Sequence, residues 1–572
     1  MVQVSRRLVV RKEVPVDNSQ ELMNSLDFAM AEYYCEHKEF EKGLKIYRDS
    51  LYRVVESERI NVMNKYLNYS FQYAGILSQE NKHAEAIEVY REMMKHSGFP
   101  VNVYKNIGLC MKSLGNADVA IKFLKKFEEL SPDKEDVYVY LADITYADIK
   151  DNIKAIEYYE KVLEKNSNNF TVYNMLGHLY STCYQDKHKE KQIDYLKKAF
   201  ELAPQNRIVV KNLAYVYGKF HETALADEMY AKMMYLSPTH SDLHAYGAYL
   251  VKHERFAEGF KFLQHRFLKE DLGNTAFPAI YTNSSKKKRW SIKHDIRDKH
   301  ILVHFEQGFG DTIMFARFIE DMKTRCAKVS LVVQNSLVSL FKSSDLGVEI
   351  YTEADLPNIN YDYYIPMMDL PIVCETTPQN IPNAEGYLKV SKEKVQEYKA
   401  KHIDDNGKLR IGIAYEGTLA SKETDRDIPL NFLYPLMRME NVDVYSFQVE
   451  DLTRQMDRIP DEAQLIRLGA TFKSWEDTAA AMMNMDLMVT TDNGVMNLAG
   501  ALGVKTFGLF NTITEWRWFK TTGNDIAWYK SIKPFQCPTS KDWNTPMQKV
   551  IKEVERLAAR KTGKRIRKSN VQ

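Results

Sequence analysis

From about Asn24 to about Phe267 the chain reads as pairs of amphipathic helices, and the pattern recurs after roughly 34 residues. The clearest copy carries Ile107-Gly108, Gly115, Ala120, Leu124 and Pro132. Its small residues stand where two antiparallel helices cross closely, and Pro132 ends the second helix. Leu141-Ala142, Ala155 and Tyr159 mark the next copy. Leu176-Gly177, Tyr180, Leu196 and Pro204 mark another, with a few extra residues near Gln185 to Lys191. Leu213-Ala214, Tyr217, Ala226, Tyr230 and Pro238 give a full match. Gly43 with Tyr47 and Ala86 with Tyr90 are weaker early copies. Gly247, Gly259 and Leu263 form a last, degenerate one.

Leu268 to Asp298 breaks the period, and Asn283-Ser284-Ser285-Lys286-Lys287-Lys288-Arg289 is a polar, basic connector expected to be a solvated linker. At His300 short apolar runs replace the helical period. His300 to Phe305, Val329 to Val333, Val348 to Tyr351 and Tyr363 to Pro366 read as strands, with a helix from Ile313 to Arg325. A polar stretch near Lys401 to Lys408 marks a second boundary. Leu409 to Ala414, Val442 to Phe447, Met485 to Thr490 and Val504 to Phe510 then supply strands of a second α/β unit. Strands alternating with helices predict parallel sheets and two Rossmann-like halves with a cleft between them. The expected division is an N-terminal extension at 1–23, repeats at 24–270, a linker at 271–298, α/β domains at 299–400 and 401–558, and a basic tail at 559–572.

Composition narrows the class. Lys+Arg 79 against Asp+Glu 77 leaves no bulk charge to name a nucleic acid or membrane partner. No apolar run reaches membrane-spanning length, and Met1 to Val16 lacks the apolar core of a signal peptide. The six cysteines are scattered without a C-x-x-C pair, as expected of reduced thiols in a cytoplasmic protein. Asp425-Arg426-Asp427 follows no apolar strand, and no His/Cys/Asp cluster has ligand spacing, so no metal site is expected. The basic run Arg560 to Lys568 reads as a solvated tail.

The first half of the chain resembles the tetratricopeptide family. Such repeats stack into a continuous core whose curved surface receives a peptide. Most of their tyrosines are packing, and the repeats hold no catalytic constellation.

Chemistry is expected at two turns. In Met488 to Gly500, a buried strand ending in Thr490-Thr491 turns through Asp492, Asn493 and Gly494 into a small-residue helix that Gly503 closes. Free backbone N–H groups and the helix dipole make such a turn an anion site, and Gly494 would let phosphates approach the backbone. The alternative is an ordinary β–α turn. The second turn is Glu306-Gln307-Gly308-Phe309-Gly310-Asp311-Thr312.

These two motifs, with Glu515-Trp516-Arg517-Trp518, are similar to those of bacterial tetratricopeptide-linked glycosyltransferases of the GT-B fold, whose catalytic half resembles the heptosyltransferase family. The resemblance covers about Trp290 to Tyr529. It implies an α-solenoid followed by α/β GT-B with two Rossmann-like domains, and Asp311 as general base of an inverting transfer. The alternative for Asp311 is a helix N-cap. Glu306 is the reserve base, or equally a structural acceptor. Asp492, Asn493 and Gly494 would sit at the donor's pyrophosphate or sugar. Tyr415-Glu416-Gly417 would border the nucleotide, Lys422 and Arg426 would offset its charge, and Phe447-Gln448 would reach its base or ribose. The family's second motif has a histidine where this chain has Asn497, whose amide can still donate a hydrogen bond. Trp516 and Trp518 read as core.

The sequence thus points to a metal-independent glycosyltransferase with a nucleotide-sugar co-substrate, no other cofactor, and a protein acceptor held by the repeats. In similar proteins that acceptor is a surface or flagellar protein. Two rivals stay open: a non-enzymatic repeat scaffold with a degenerate sugar-nucleotide site, and a transferase acting on a glycan or modified nucleic acid.

Overall fold

The computed structural model describes residues 18–184, 186–268, 289–417, 426–449, 459–518 and 526–563. It divides into two compact units, residues 1–179 and 180–572. The basic connector apart from Arg289, Lys422, Asp425 and the end of the basic run lie outside the described residues.

The first unit is a run of helix pairs. Asn102–Ser113 and Ala117–Leu130 make the clearest one. A Cβ on Gly108 would stand 2.9 Å from Leu124 and 3.2 Å from the Ala120 carbonyl, so the missing side chain sets how closely the two helices approach. Gly43 plays the same part, its Cβ direction meeting the Ala31 carbonyl at 2.7 Å across the pair Asn18–Glu36 and Phe40–Ser50. Pro132 follows directly on the second helix of the clear copy, which ends at Leu130.

The second unit begins with further repeats and then builds two parallel sheets. Helices Arg207–Lys219 with Thr223–Met234, and His240–Lys252 with Phe256–Leu263, are its last regular pairs. Gly247 and Gly259 face each other in the final pair, each with the other's carbonyl within 3.0 Å of its Cβ direction.

The first sheet holds β1 (His300–His304), β2 (Lys328–Val332), β3 (Glu349–Tyr351) and β4 (Tyr363–Pro366) in the order β3-β2-β1-β4. The second holds β5 (Leu409–Ala414), β6 (Val442–Ser446), β7 (Ile466–Arg467), β8 (Leu487–Thr491), β9 (Thr506–Phe510) and β10 (Ile532–Gln536). Its order, β10-β9-β8-β5-β6-β7, is that of the six-stranded Rossmann sheet, and all described pairings are parallel. The sequence reading placed eight of these strands to within two residues and missed β7 and β10.

Both faces of the second sheet are covered, which is why its strands read as unbroken apolar runs. Ile411, Ile413, Leu487 and Val489 pack with Met547, Val550 and Val554 of the helix Asn544–Lys561. Ala414 and Met488, on the opposite face, join the core shared with the first sheet.

Val251, Phe256, Phe260 and Leu263 of the last helical pair belong to the same core as Ile301, Val303 and Trp528, within the second compact unit. One expectation is corrected here. The described end of the connector is no solvated linker: Arg289 pairs with Asp369 at 3.2 Å, and Trp290 is buried, its backbone N–H donating to the Tyr364 carbonyl. Likewise Arg560 and Lys561 form the last turn of a helix, where cations suit the dipole, before the described residues end.

Candidate functional site

The crossing point of the second sheet lies between β5 and β8, where the strand order reverses, and ligands of such sheets bind outside the carboxyl ends of the strands there. Thr491 ends β8, and Asp492 and the N-cap Asn493 follow. The turn after β1 comes to the same place from the first sheet. A Cβ on Gly310 would lie 3.5 Å from the Gly494 Cα and 3.0 Å from the Asn497 side-chain nitrogen.

Arg517, from the segment after β9, is the centre of this junction. Its Nε donates to Asp311 Oδ1 at 2.7 Å, its Nη1 to Glu515 Oε2 at 3.2 Å and its Nη2 to Gln307 Oε1 at 2.9 Å. The guanidinium lies 4.5 Å from the centre of the Trp516 ring. Burial works against its charge, but Asp311, Glu515 and Asp492 outweigh burial and raise its pKa above the usual arginine value. Gln307 holds its place with a left-handed backbone, φ 58°, which costs a residue with a side chain free energy and marks the turn as one fixed by its surroundings.

Asp311 therefore serves two neighbours. Oδ2 reaches back to accept from the Gly308 N–H at 3.3 Å, in the manner of a helix-start carboxylate, while Oδ1 is turned to Arg517. Asp492 pairs with Arg426 at 3.6 Å, and burial raises its pKa despite the pull of Arg426. Lys252, from the last helical pair, donates to the Thr514 carbonyl at 3.1 Å, and burial lowers its pKa. Tyr215, an exposed residue of a repeat helix, has its phenol pKa raised by burial, with a contribution from Glu515.

The remaining expected residues divide. Glu306 is fully buried and ion-paired with Arg266 at 2.7 Å, as a structural acceptor would be. Tyr415 is buried in the core with Ile411 and Ile413, and Phe447 is buried against Phe472. Gln448 spends its side-chain oxygen on the Glu416 N–H at 3.2 Å, and the Gly417 N–H donates to Asp427 at 2.9 Å. Asn493 caps its helix by accepting from the Met496 N–H at 3.1 Å. Gly494 has a second reason to be bare, beside phosphate approach: a Cβ there would lie 2.9 Å from the Trp475 ring. Asn497 donates to the Asn493 carbonyl at 3.2 Å and accepts from the Tyr529 hydroxyl at 3.0 Å, so its amide is committed within the protein. Trp518 is core, as expected.

The sequence reading quotes Arg517 and Glu515 within the stretch Glu515 to Trp518 but gives neither a role, and Lys252 and Tyr215 escaped it. Charged residues interleaved with two tryptophans just after a buried strand were the available signal for the first two. Lys252 and Tyr215 carry none, since a repeat helix exposes many such side chains.

Among the described residues no helix is long and apolar enough to cross a membrane. A family model described as tetratricopeptide repeat matches residues 170–206. Protein FlbA of Caulobacter vibrioides is 23% identical over 474 residues, 77% of this chain and 76% of that protein. Tetratricopeptide repeat-containing protein trd-1 of Caenorhabditis elegans is 25% identical over 193 residues, 33% of this chain and 23% of that protein. The solved MamA from Desulfovibrio magneticus RS-1 is similar at 20% identity, over 30% of this chain and 94% of that one, with a TM-score of 0.27. The first half of the chain is built of tetratricopeptide-type repeats, and the likeness to FlbA runs well beyond them.

Proposed function

We propose that the protein is a metal-independent, inverting glycosyltransferase of GT-B architecture, working in the cytoplasm on a protein acceptor that its repeats hold. The donor is a nucleotide sugar. The acceptor belongs to the class of surface or flagellar proteins. The acceptor's hydroxyl oxygen attacks the anomeric carbon from the face opposite the diphosphate. The bond from that carbon to the phosphate oxygen breaks, its electron pair leaves on the diphosphate, and the hydroxyl proton passes to Asp311.

The observation that carries this reading is the convergence of Asp311, from the first sheet, with Arg517 and Asp492 at the reversal point of the second. A carboxylate and cations meeting beside a Rossmann crossing point are what a base and a leaving diphosphate need. The test is a panel of nucleotide sugars screened by thermal shift on wild type, followed by transfer assays on Asp311→Asn. The expected outcome is a stabilising donor for both proteins and transfer only in wild type. Full transfer by Asp311→Asn would remove the base assignment.

A second reading keeps the repeats and discards the chemistry: a protein-binding scaffold with a degenerate site. Asn497, which stands where the resembled family has a histidine and bonds to Asn493 and Tyr529, favours it. No nucleotide sugar raising the melting temperature would decide for the scaffold.

A further inference from the structure

The site as it stands is closed upon itself. Arg517 gives three of its N–H directions to Asp311, Glu515 and Gln307. Asp311 in turn has one oxygen on Arg517 and the other on the Gly308 N–H. While Arg517 Nε donates to Oδ1, one lone-pair direction of that oxygen is held by a cation's N–H, and an acceptor's proton competes with it there. Arg426 is neutralised in the same way by Asp492, at the looser distance of 3.6 Å. Lys252 donates to a backbone carbonyl, that of Thr514. Three cations thus surround one junction, each occupied by a protein oxygen.

We infer that Arg517 is a donor-operated release for Asp311: a diphosphate entering the junction takes the guanidinium from the carboxylate, and the carboxylate becomes free to receive a proton. The exchange is favourable for two reasons. A diphosphate carries more charge than a carboxylate and offers the planar guanidinium two parallel oxygens. Glu515 and Asp492 remain at hand to keep the cation charged during the exchange. Trp516, beneath the guanidinium, lets it slide in its own plane without losing contact with the ring. Arg517 is a positioning residue here, acting on the acceptor's proton only through Asp311. The consequence is an order of events, in which an acceptor arriving before the donor meets an occupied base.

The use made of the freed carboxylate rests on the transferase reading, but the exchange is measurable without any transfer. The experiment is calorimetric titration of the full chain with inorganic pyrophosphate, for wild type, Asp311→Asn, Asp311→Ala and Arg517→Ala. If the anion must displace Asp311, removing that carboxylate's charge tightens pyrophosphate binding by about tenfold in both Asp311 variants. Arg517→Ala loses the binding. A purely structural role for the pair would weaken binding in every variant. Unchanged or weaker binding in both Asp311 variants, or undiminished binding in Arg517→Ala, overturns the inference. Tightened pyrophosphate binding with no nucleotide sugar accepted as donor leaves the exchange standing and removes the transferase reading alone.

Discussion

The guanidinium of Arg266 grips Glu306 with two prongs, Nε to Oε2 and Nη2 to Oε1, both at 2.7 Å. Arg266 closes the last repeat and Glu306 follows β1, so the pair fastens that repeat to the first sheet. The same Nη2 reaches Asp369 at 2.8 Å, beyond the end of β4, and Arg289 and Gln264 supply that carboxylate's other oxygen at 3.2 and 3.0 Å. Two carboxylates are therefore buried at the carboxyl ends of neighbouring strands, and their main counter-charge comes from a repeat.

Breaking this pair from one side should be expensive. Arg266→Met leaves Glu306 and Asp369 buried with only Arg289 to offset them, and the expected loss is about 3 to 5 kcal/mol in urea unfolding. Arg266→Lys should also lose stability, since an ammonium cannot bridge two carboxylates as the planar fork does. A loss under about 1 kcal/mol, the value of an exposed pair, would show that the network does not hold the two parts together.

Lys219 gives a prediction with a sign in pH. Its ammonium is buried and donates to the Ser181 carbonyl, the Ser181 hydroxyl and Gln192, at 2.8, 3.0 and 3.1 Å. Burial lowers its pKa to about 7, with Asp186 opposing and Lys252 adding to the shift. In the unfolded chain a lysine keeps its proton to about pH 10.4. Between these values the unfolded state binds more protons than the native one, so stability rises with pH across that window. Below pH 7 both states are protonated and the full cost of the buried charge is present. Relative to Lys219→Met, wild type should therefore gain up to about 1.4 kcal/mol for each pH unit above 7. Urea midpoints of the two proteins at pH 7 and pH 9 measure it, and a difference that stays constant would contradict it.

How far the sequence was legible depends on what each residue answers to. The repeats were readable because Gly108, Ala120, Gly247 and Gly259 are small for a local reason, the crossing of two helices adjacent in sequence. The strands were readable because a sheet covered on both faces leaves runs such as Leu409–Ala414 without polar breaks. β7 was missed because it is two residues long and exposed, and β10 because Lys533 and Pro534 interrupt its apolar run. The site was read only in part. Asp311 and Asp492 sit at turns that the strand pattern itself marks. Arg517 and Lys252 matter through partners 206 positions away or on another element, which no local pattern records. The same limit explains Tyr415 and Phe447: each stands at a strand end, but which way the pleat turns its ring depends on the opposing layer.

Gly494 separates two reasons for the same glycine. If the site needs only room for phosphates, Gly494→Ala weakens anion binding and leaves stability alone. The structure puts the added Cβ 2.9 Å from the Trp475 ring, which would have to shift, and at an ordinary contact distance, 3.9 Å, from the Gly310 nitrogen. The expected result is a loss of about 1 to 3 kcal/mol, with a larger loss for Gly494→Val. Thermal unfolding without any ligand reads this directly, and an unaltered midpoint would return the glycine to the phosphates.

The last prediction concerns where the chain can be cut. A chain starting near Asn283 removes the repeats at the boundary that the sequence suggests. It also removes Arg266, leaving Glu306 and Asp369 without their main counter-charge, and strips Val251, Phe256, Phe260 and Leu263 from the core shared with the first sheet. Phe256 stacks on Trp528 at 5.8 Å, so the cut would open the second sheet's side of that core too. We expect this shorter chain to lose cooperative thermal unfolding and to bind an apolar dye, as a protein with an exposed core does. A chain starting at Phe170 keeps all of the second unit and should unfold cooperatively. It should also bind pyrophosphate as the full chain does, because Asp311, Arg517, Arg426 and Lys252 all lie within it. Differential scanning calorimetry of the two chains side by side decides the matter. A cooperative transition in the chain from Asn283 would mean that the last repeats are accessory to the α/β region, and that the pairing of Arg266 with Glu306 is dispensable to it.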